Sequence, residues 1–192
     1  MVRHGQVNGY QDFPVYGHTD VDLTEIGVLQ MKQMAERLRL AGLKVIYSSD
    51  LKRASTGAKL IAMYHDVHLH TLPELREMAF GDWEGLTLSE IRNRFPEALE
   101  RRQADLVHFR VSGGGESVGE LAARIREVFD DIRKREKGND MAVVAHGGVN
   151  RVILCHAMGL DLSCMFNIQQ DYGCLNIIDY YPDKTLVRLV NG

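Results

Sequence analysis

The chain has 192 residues, 45% apolar and 26% charged, with a formal net charge of −3. Those values fit a soluble globular domain that builds its core without staples. They argue against a basic nucleic-acid binder, and the lack of any run of about 18 apolar residues argues against a helical membrane span. Three cysteines, Cys155, Cys164 and Cys174, show no C-x-x-C spacing, and no apolar leader opens the chain. A reduced, cytoplasmic protein is the expectation.

Only Met1 and Val2 precede Arg3-His4-Gly5. A central strand usually has about five or six residues, so the sequence predicts that the natural strand extends upstream by a few apolar residues. Gln6 to Leu23 reads as loop, holding Gly9, Pro14 and Gly17 with the turn formers Asn8, Asp12, Asp20 and Asp22. Thr24 caps a helix whose apolar set Ile26, Met31, Met34, Ala35 and Leu38 has helical spacing, and Gly42 should end it. Val45-Ile46-Tyr47 reads as a buried strand ending at Ser48-Ser49. Asp50 should then cap a helix with Ala54, Ala58, Ile61 and Ala62 on its inner side. Val67 to His70 alternates, as a strand with one wetter face does. Glu74 to Gly85 carries two glycines, a tryptophan and four carboxylates, and reads as an ordered functional loop.

Leu86 to Phe95 is a short helix closed by Pro96. Glu97 to Gly115 is an excursion from the sheet, so that a cap is expected over about 86–115. Glu116 to Lys137 is the clearest helix, with Leu121, Ile125, Val128, Phe129 and Ile132 on one face and Gly138 after it. The apolar run Met141 to Ala145 is a strand buried on both faces. A helix from Val149 to Met158 stops at Gly159. Leu175 to Tyr181 and Leu186 to Val190, joined at Pro182-Asp183-Lys184, form an antiparallel pair at the sheet edge. This order predicts one α/β domain over residues 1–192: a three-layer α/β/α sandwich with a mostly parallel sheet and an antiparallel edge.

Four segments follow apolar runs and so fall at strand exits, where ligands bind in an open α/β sheet. They are Arg3-His4-Gly5, Ser48 to Arg53, Leu75-Arg76-Glu77 and Ala145-His146-Gly147-Gly148. Arg3 and Arg53 offer planar forks of donors to phosphoryl oxygens. His146 adds a donor, and the N–H groups of the helix that starts there, Gly147 among them, add more. His4 is the candidate nucleophile, kept neutral by the two cations. Gly5 lets the backbone approach the ligand. Glu77 is the candidate acid for the departing oxygen and the later base for water. His65, His68 and His70 look like a metal cluster but read as solvated side chains. Tyr47, Phe80 and Trp83 read as packing, with Trp83 bracing the loop that carries Glu77.

With Val2-Arg3-His4-Gly5, Gly17-His18-Thr19-Asp20, Ser48 to Ala54, Leu75-Arg76-Glu77, Gly81 to Gly85, Gly115-Glu116-Ser117 and His146-Gly147-Gly148, the chain resembles the histidine phosphatase superfamily, the phosphoglycerate mutase-like proteins, over nearly its whole length. The resemblance implies a phosphohistidine on His4, Glu77 as proton donor, and Arg3, Arg53 and His146 around the phosphate. It implies no metal and no cofactor. It adds Gly17 to the substrate-binding set, and Asn8 in place of an asparagine common in the family, whose position is Tyr10 here. Gln6, Val7 and Gly57 also depart from the usual pattern. Met78 after Glu77 and the compact interval from Glu77 to His146 favour a phosphatase over a phosphoglycerate mutase-type transferase. A non-catalytic phospho-ligand binder is the third reading, should the short first strand misplace His4. Within the phosphatase branch, the short chain and Phe80 to Gly85 resemble the α-ribazole phosphatases, which makes α-ribazole 5'-phosphate one candidate substrate. The expected partner is a small-molecule phosphate ester, with no nucleic acid and no membrane, and a homodimer is a compatible assembly.

Overall fold

A computed structural model describes residues 1–12 and 14–192 of the chain. Phe13, inside the segment read as loop, lies outside them. Four strands form a parallel sheet: β1 (Val2–Arg3), β2 (Leu43–Ser49), β3 (His68–Leu72) and β4 (Asp140–Ala145), in the order β1-β4-β2-β3. Successive strand residues point to opposite faces, and this splits the core in two. Val2, Ile46, Ala142 and Val144 pack against α1 (Glu25–Leu38) and α2 (Lys52–Ala62) through Met31, Met34, Ala54, Ala58 and Ile61. Val45, Tyr47, Val143 and Ala145 pack against α5 (Val118–Arg135) and α6 (Gly147–Met158) through Leu121, Ile125, Phe129, Val149 and Ile153. Helices therefore cover both faces, as the apolar run of β4 requires.

The first strand has two residues. It pairs Val2 with Val144 and Arg3 with Ala145. On its other side the Arg3 N–H donates to the Cys174 carbonyl, the Asn176 N–H donates to the Met1 carbonyl, and Val2 bridges Leu175. Both edges of β1 are thus hydrogen-bonded.

Several expectations need correction. Asp50 caps nothing: α2 has Leu51 at its N-cap with no side-chain cap, and the Asp50 carboxylate instead takes the Arg76 fork, with Nε 2.7 Å from Oδ1. Helix α1 stops at Leu38, short of Gly42, where a tight turn follows. Pro96 opens a helix rather than closing one. It is the first residue of α4 (Pro96–Ala104), placed where its missing N–H costs nothing, directly after α3 (Leu88–Arg94). The final hairpin, β5 (Ile177–Tyr180) with β6 (Thr185–Leu189), forms its own two-stranded antiparallel sheet, and the residues leading into it meet the edge of the main sheet through the antiparallel Val2–Leu175 bridge. It lies against α5, where Tyr180 meets Phe129 edge-on at 6.0 Å and Arg133 stacks on Tyr180 at 3.7 Å. Trp83 is buried in a small cluster of its own with Ile91 and Val111, against Phe109 at 6.0 Å, which ties α3 and α4 to the Glu77 loop. His68 and His70 are exposed, and His70 stacks on Tyr47 at 5.1 Å.

Candidate active site

Because β1 and β4 are parallel and in register through Arg3 and Ala145, the next residue of each, His4 and His146, leaves the sheet side by side. Their rings meet edge-on with centroids 5.1 Å apart. His4 is 5% exposed and His146 is fully buried. Burial depresses the pKa of His4 well below 6.5, and the Arg3 and Arg53 charges push the same way. For His146 burial again comes first, followed by Arg53, His4 and Arg3. Nδ1 of His4 lies 2.8 Å from its neighbour's carbonyl, that of Gly5. A carbonyl only accepts, so Nδ1 carries the hydrogen and the neutral ring presents a lone pair on Nε2. Neither ring nitrogen of His146 has a hydrogen-bond partner among the described residues. A buried, unpaired donor of that kind suits an anionic ligand.

Arg53 is 2% exposed. It reaches the site from the first turn of α2, and the loop before α1 holds it: Nη2 donates to the Gly17 carbonyl at 2.6 Å and Nη1 to the Thr19 carbonyl at 2.8 Å. Gly17 has φ +48°, and a Cβ there would lie 2.3 Å from Glu84 Oε1, so the turn needs glycine. Arg3 donates through Nη1 to the Gln170 carbonyl and stacks on Tyr172, its guanidinium 4.1 Å from the ring centroid. Its Nε has no protein partner among the described residues.

Glu77 arrives from the loop after β3. Its Oε2 accepts the Gly148 N–H at 2.9 Å, and Oε1 accepts the Met78 N–H at 2.9 Å. The carboxylate therefore rests on the N-terminus of α6, where a negative charge is favoured. A Cβ at Gly148 would come within 2.3 Å of Glu77 Oε1, which explains the second glycine after His146. Gly147 lies between the cations: a Cβ there would be 3.5 Å from Arg3 Nε and 3.0 Å from Arg151 Nη1.

His4, Arg3, Arg53, Glu77, His146 and Gly147 are thus brought together at the carboxyl ends of β1 and β4. Two of the predicted residues, Gly5 and Asn8, have contacts of their own within the protein. A Cβ on Gly5 would lie 2.2 Å from the Gly27 carbonyl, so the packing of the strand exit on α1 needs glycine here. Asn8 is exposed, and its bonds are backbone ones, from its N–H to Asp22 and from the Tyr16 hydroxyl to its carbonyl. Tyr172, 5.6 Å from the His4 ring, was missed. It comes from a segment with no local motif, and only tertiary structure brings it to the site. A separate hollow of about 600 Å³ lies between α5 and α6, lined by Ile125, Phe129, Val152 and Leu162, and holds none of the residues above. Among the described residues, no group of three or more His, Cys, Asp or Glu side chains is placed to hold a metal ion.

An Arabidopsis thaliana metal-independent phosphoserine phosphatase is 36% identical over 155 residues, 80% of this chain and 65% of the relative. The chain thus spans about two thirds of that relative's length. The crystal structure of the α-ribazole phosphatase from Shigella flexneri superposes with a TM-score of 0.91 at 25% identity, covering 100% of this chain and 94% of that one. A mycobacterial glucosyl-3-phosphoglycerate phosphatase in complex with VO3 superposes at 0.88, also at 25% identity, covering 100% and 97%. The model of the histidine phosphatase superfamily, branch 1, matches residues 1–192. With residues 1–192 matched and its Arg-His-Gly and His-Gly-Gly segments meeting at one sheet end, the chain belongs to the histidine phosphatase superfamily (branch 1).

Proposed function

We propose that the protein is a metal-independent phosphomonoester hydrolase that acts on a small phosphorylated metabolite through a phosphohistidine at His4. The observation that carries this reading is the His4 ring: neutral, buried, its Nδ1 hydrogen committed to the Gly5 carbonyl. Its Nε2 lone pair is then the reactive atom. Nε2 attacks phosphorus as the bond to the ester oxygen breaks, and Glu77 gives that oxygen its proton. Arg3, Arg53, His146 and the Gly147 N–H donate to the three phosphoryl oxygens while charge shifts between them. In the second half Glu77 takes a proton from water, the water oxygen attacks phosphorus, and the P–N bond breaks. Inorganic phosphate leaves and neutral His4 returns, so the acid of one half is the base of the other.

Among substrates, α-ribazole 5'-phosphate stands first, supported by the full-length likeness to the Shigella enzyme and the Phe80 to Gly85 loop. Phosphoserine and glucosyl-3-phosphoglycerate are its competitors. A steady-state panel of these three esters, run with and without a chelator, tests the proposal. Hydrolysis that is unaffected by the chelator and highest on α-ribazole 5'-phosphate is the expected result. A higher kcat/KM on either competitor replaces the substrate, and activity that dies in chelator and returns with a divalent ion overturns the mechanism.

A further inference from the structure

We propose that Glu116 and Arg124, two residues outside the phosphate pocket, form a clamp that positions Glu77; this rests on the reading of Glu77 as the acid. Arg124 projects from α5 toward the loop that carries Glu77. Its Nη1 donates to the carbonyls of Glu74 at 2.6 Å and Arg76 at 3.0 Å, and its Nη2 donates to the carbonyl of Glu77 at 3.3 Å. One planar fork therefore takes carbonyls from the residues leading into Glu77 and from Glu77 itself. The same guanidinium is gripped in a two-pronged pair by Glu116, Nε to Oε1 at 2.8 Å and Nη2 to Oε2 at 2.7 Å. Glu116 Oε2 also accepts the Ala79 N–H at 2.9 Å, and the Glu116 N–H donates to the Ala79 carbonyl at 2.8 Å. The loop is fixed on both sides of the acid.

Both side chains are sheltered, 22% exposed for Arg124 and 17% for Glu116. Burial alone would raise the Glu116 pKa. The Arg124 fork and the Ala79 N–H outweigh it and hold the carboxyl below its ordinary range, so the pair is ionised as the clamp requires. From the other side His18 Nε2 donates to the same Glu77 carbonyl at 2.9 Å, while Glu84 takes the His18, Thr19 and Phe80 N–H groups. Among the described residues the Glu77 side chain hangs on two N–H groups, so its reach toward the ester oxygen follows the position of its backbone. A displacement of about 1 Å in a positioned group can cost on the order of 10²-fold in rate.

The role has a signature that loss of stability alone does not produce. A displaced acid hurts esters with basic leaving oxygens and spares activated ones. The experiment measures kcat/KM for Arg124→Ala, Arg124→Lys, Glu116→Gln and Glu77→Gln across a series from p-nitrophenyl phosphate through phenyl phosphate to an alkyl phosphate, with melting temperatures alongside. Arg124→Ala is expected to lose roughly 10- to 100-fold on the alkyl ester and only a few-fold on the nitrophenyl ester, with millimolar guanidinium restoring part of the loss. Arg124→Lys should lie between, since one ammonium cannot span the set of carbonyls. A steep profile for Glu77→Gln beside flat profiles for Arg124→Ala and Glu116→Gln overturns the clamp alone. A flat profile for Glu77→Gln overturns the acid assignment and the clamp with it. If Arg124→Ala does not fold, Glu116→Gln, which keeps the side-chain shape, decides the question.

Discussion

Two neutral histidines in the pocket carry a consequence for stability. An unfolded chain protonates each near pH 6.5, whereas the folded chain holds His4 and His146 well below that value. Below about 6.5 the unfolded state therefore binds more protons, and stability falls as pH drops, by up to about 1.4 kcal/mol per pH unit for each histidine. Urea unfolding between about pH 7.5 and 5 should show this decline, and His146→Gln should make it shallower. An unchanged slope in that variant would mean that His146 titrates normally in the fold. Gly5 belongs at the same scale. Its ideal Cβ position lies on the Gly27 carbonyl, and backbone cannot yield as a flexible side chain does. Gly5→Ala should destabilise by about 1–3 kcal/mol, read as a lower melting temperature. Unchanged stability with weakened phosphate binding would leave only the ligand-approach reading.

At the scale of elements, the N-terminus of α6 matters most, because it holds the Glu77 carboxylate and carries His146 at its N-cap. Gly148→Ala would press a methyl group against Glu77 Oε1 and move the carboxylate off the Gly148 N–H. Glu77 is a side chain that can swing away, so stability should change little, while kcat/KM for an alkyl phosphate should fall roughly 10-fold or more. Wild-type activity in this variant would show that the contact is incidental. Helix α5 gives a contrasting case. Ser117 and Glu120 form a full capping box, with the Glu120 N–H 3.1 Å from Ser117 Oγ and the Ser117 N–H 2.8 Å from Glu120 Oε2. Ser117→Ala should cost about 1 kcal/mol, a drop of roughly 2–4 °C in melting temperature for a chain of this size. Differential scanning fluorimetry checks it, and no shift would mean that the box is redundant.

Across the whole molecule, what was legible in the sequence is what short-range pattern encodes. The apolar run of β4, the helical spacing in α5 and the left-handed stop at Gly159, with φ +66°, each state their structure locally. The segments after β1, β2 and β4 were legible for the same reason, because each follows an apolar run that ends a strand; Leu75-Arg76-Glu77 instead follows the half-exposed β3 after a further turn at Pro73–Leu75. What sequence hid depends on long-range partners. Asp50 looks like a cap until Arg76, 26 residues on, claims its carboxylate. The tight contact of Gly5 with Gly27 appears only when α1 is laid across it. Pro96 stands equally well after one helix or at the start of another, and only the next turn decides. Arg124 reads as an ordinary position on α5, and its hold on the Glu77 loop spans 50 residues to Glu74.

In the proposed reaction His4 carries the phosphoryl group between the two halves. A rapid-quench experiment on the full chain tests it most directly. The protein is mixed with p-nitrophenyl phosphate, in parallel as wild type and as Glu77→Gln, denatured within the first turnovers and mapped by peptide mass at alkaline pH. A single phosphoryl group is expected on the peptide that contains His4, stable in base and lost in acid. It should be more abundant in Glu77→Gln, where water lacks its base, and absent from His4→Ala. A phosphoryl group on any other residue, or full turnover by His4→Ala, would contradict it.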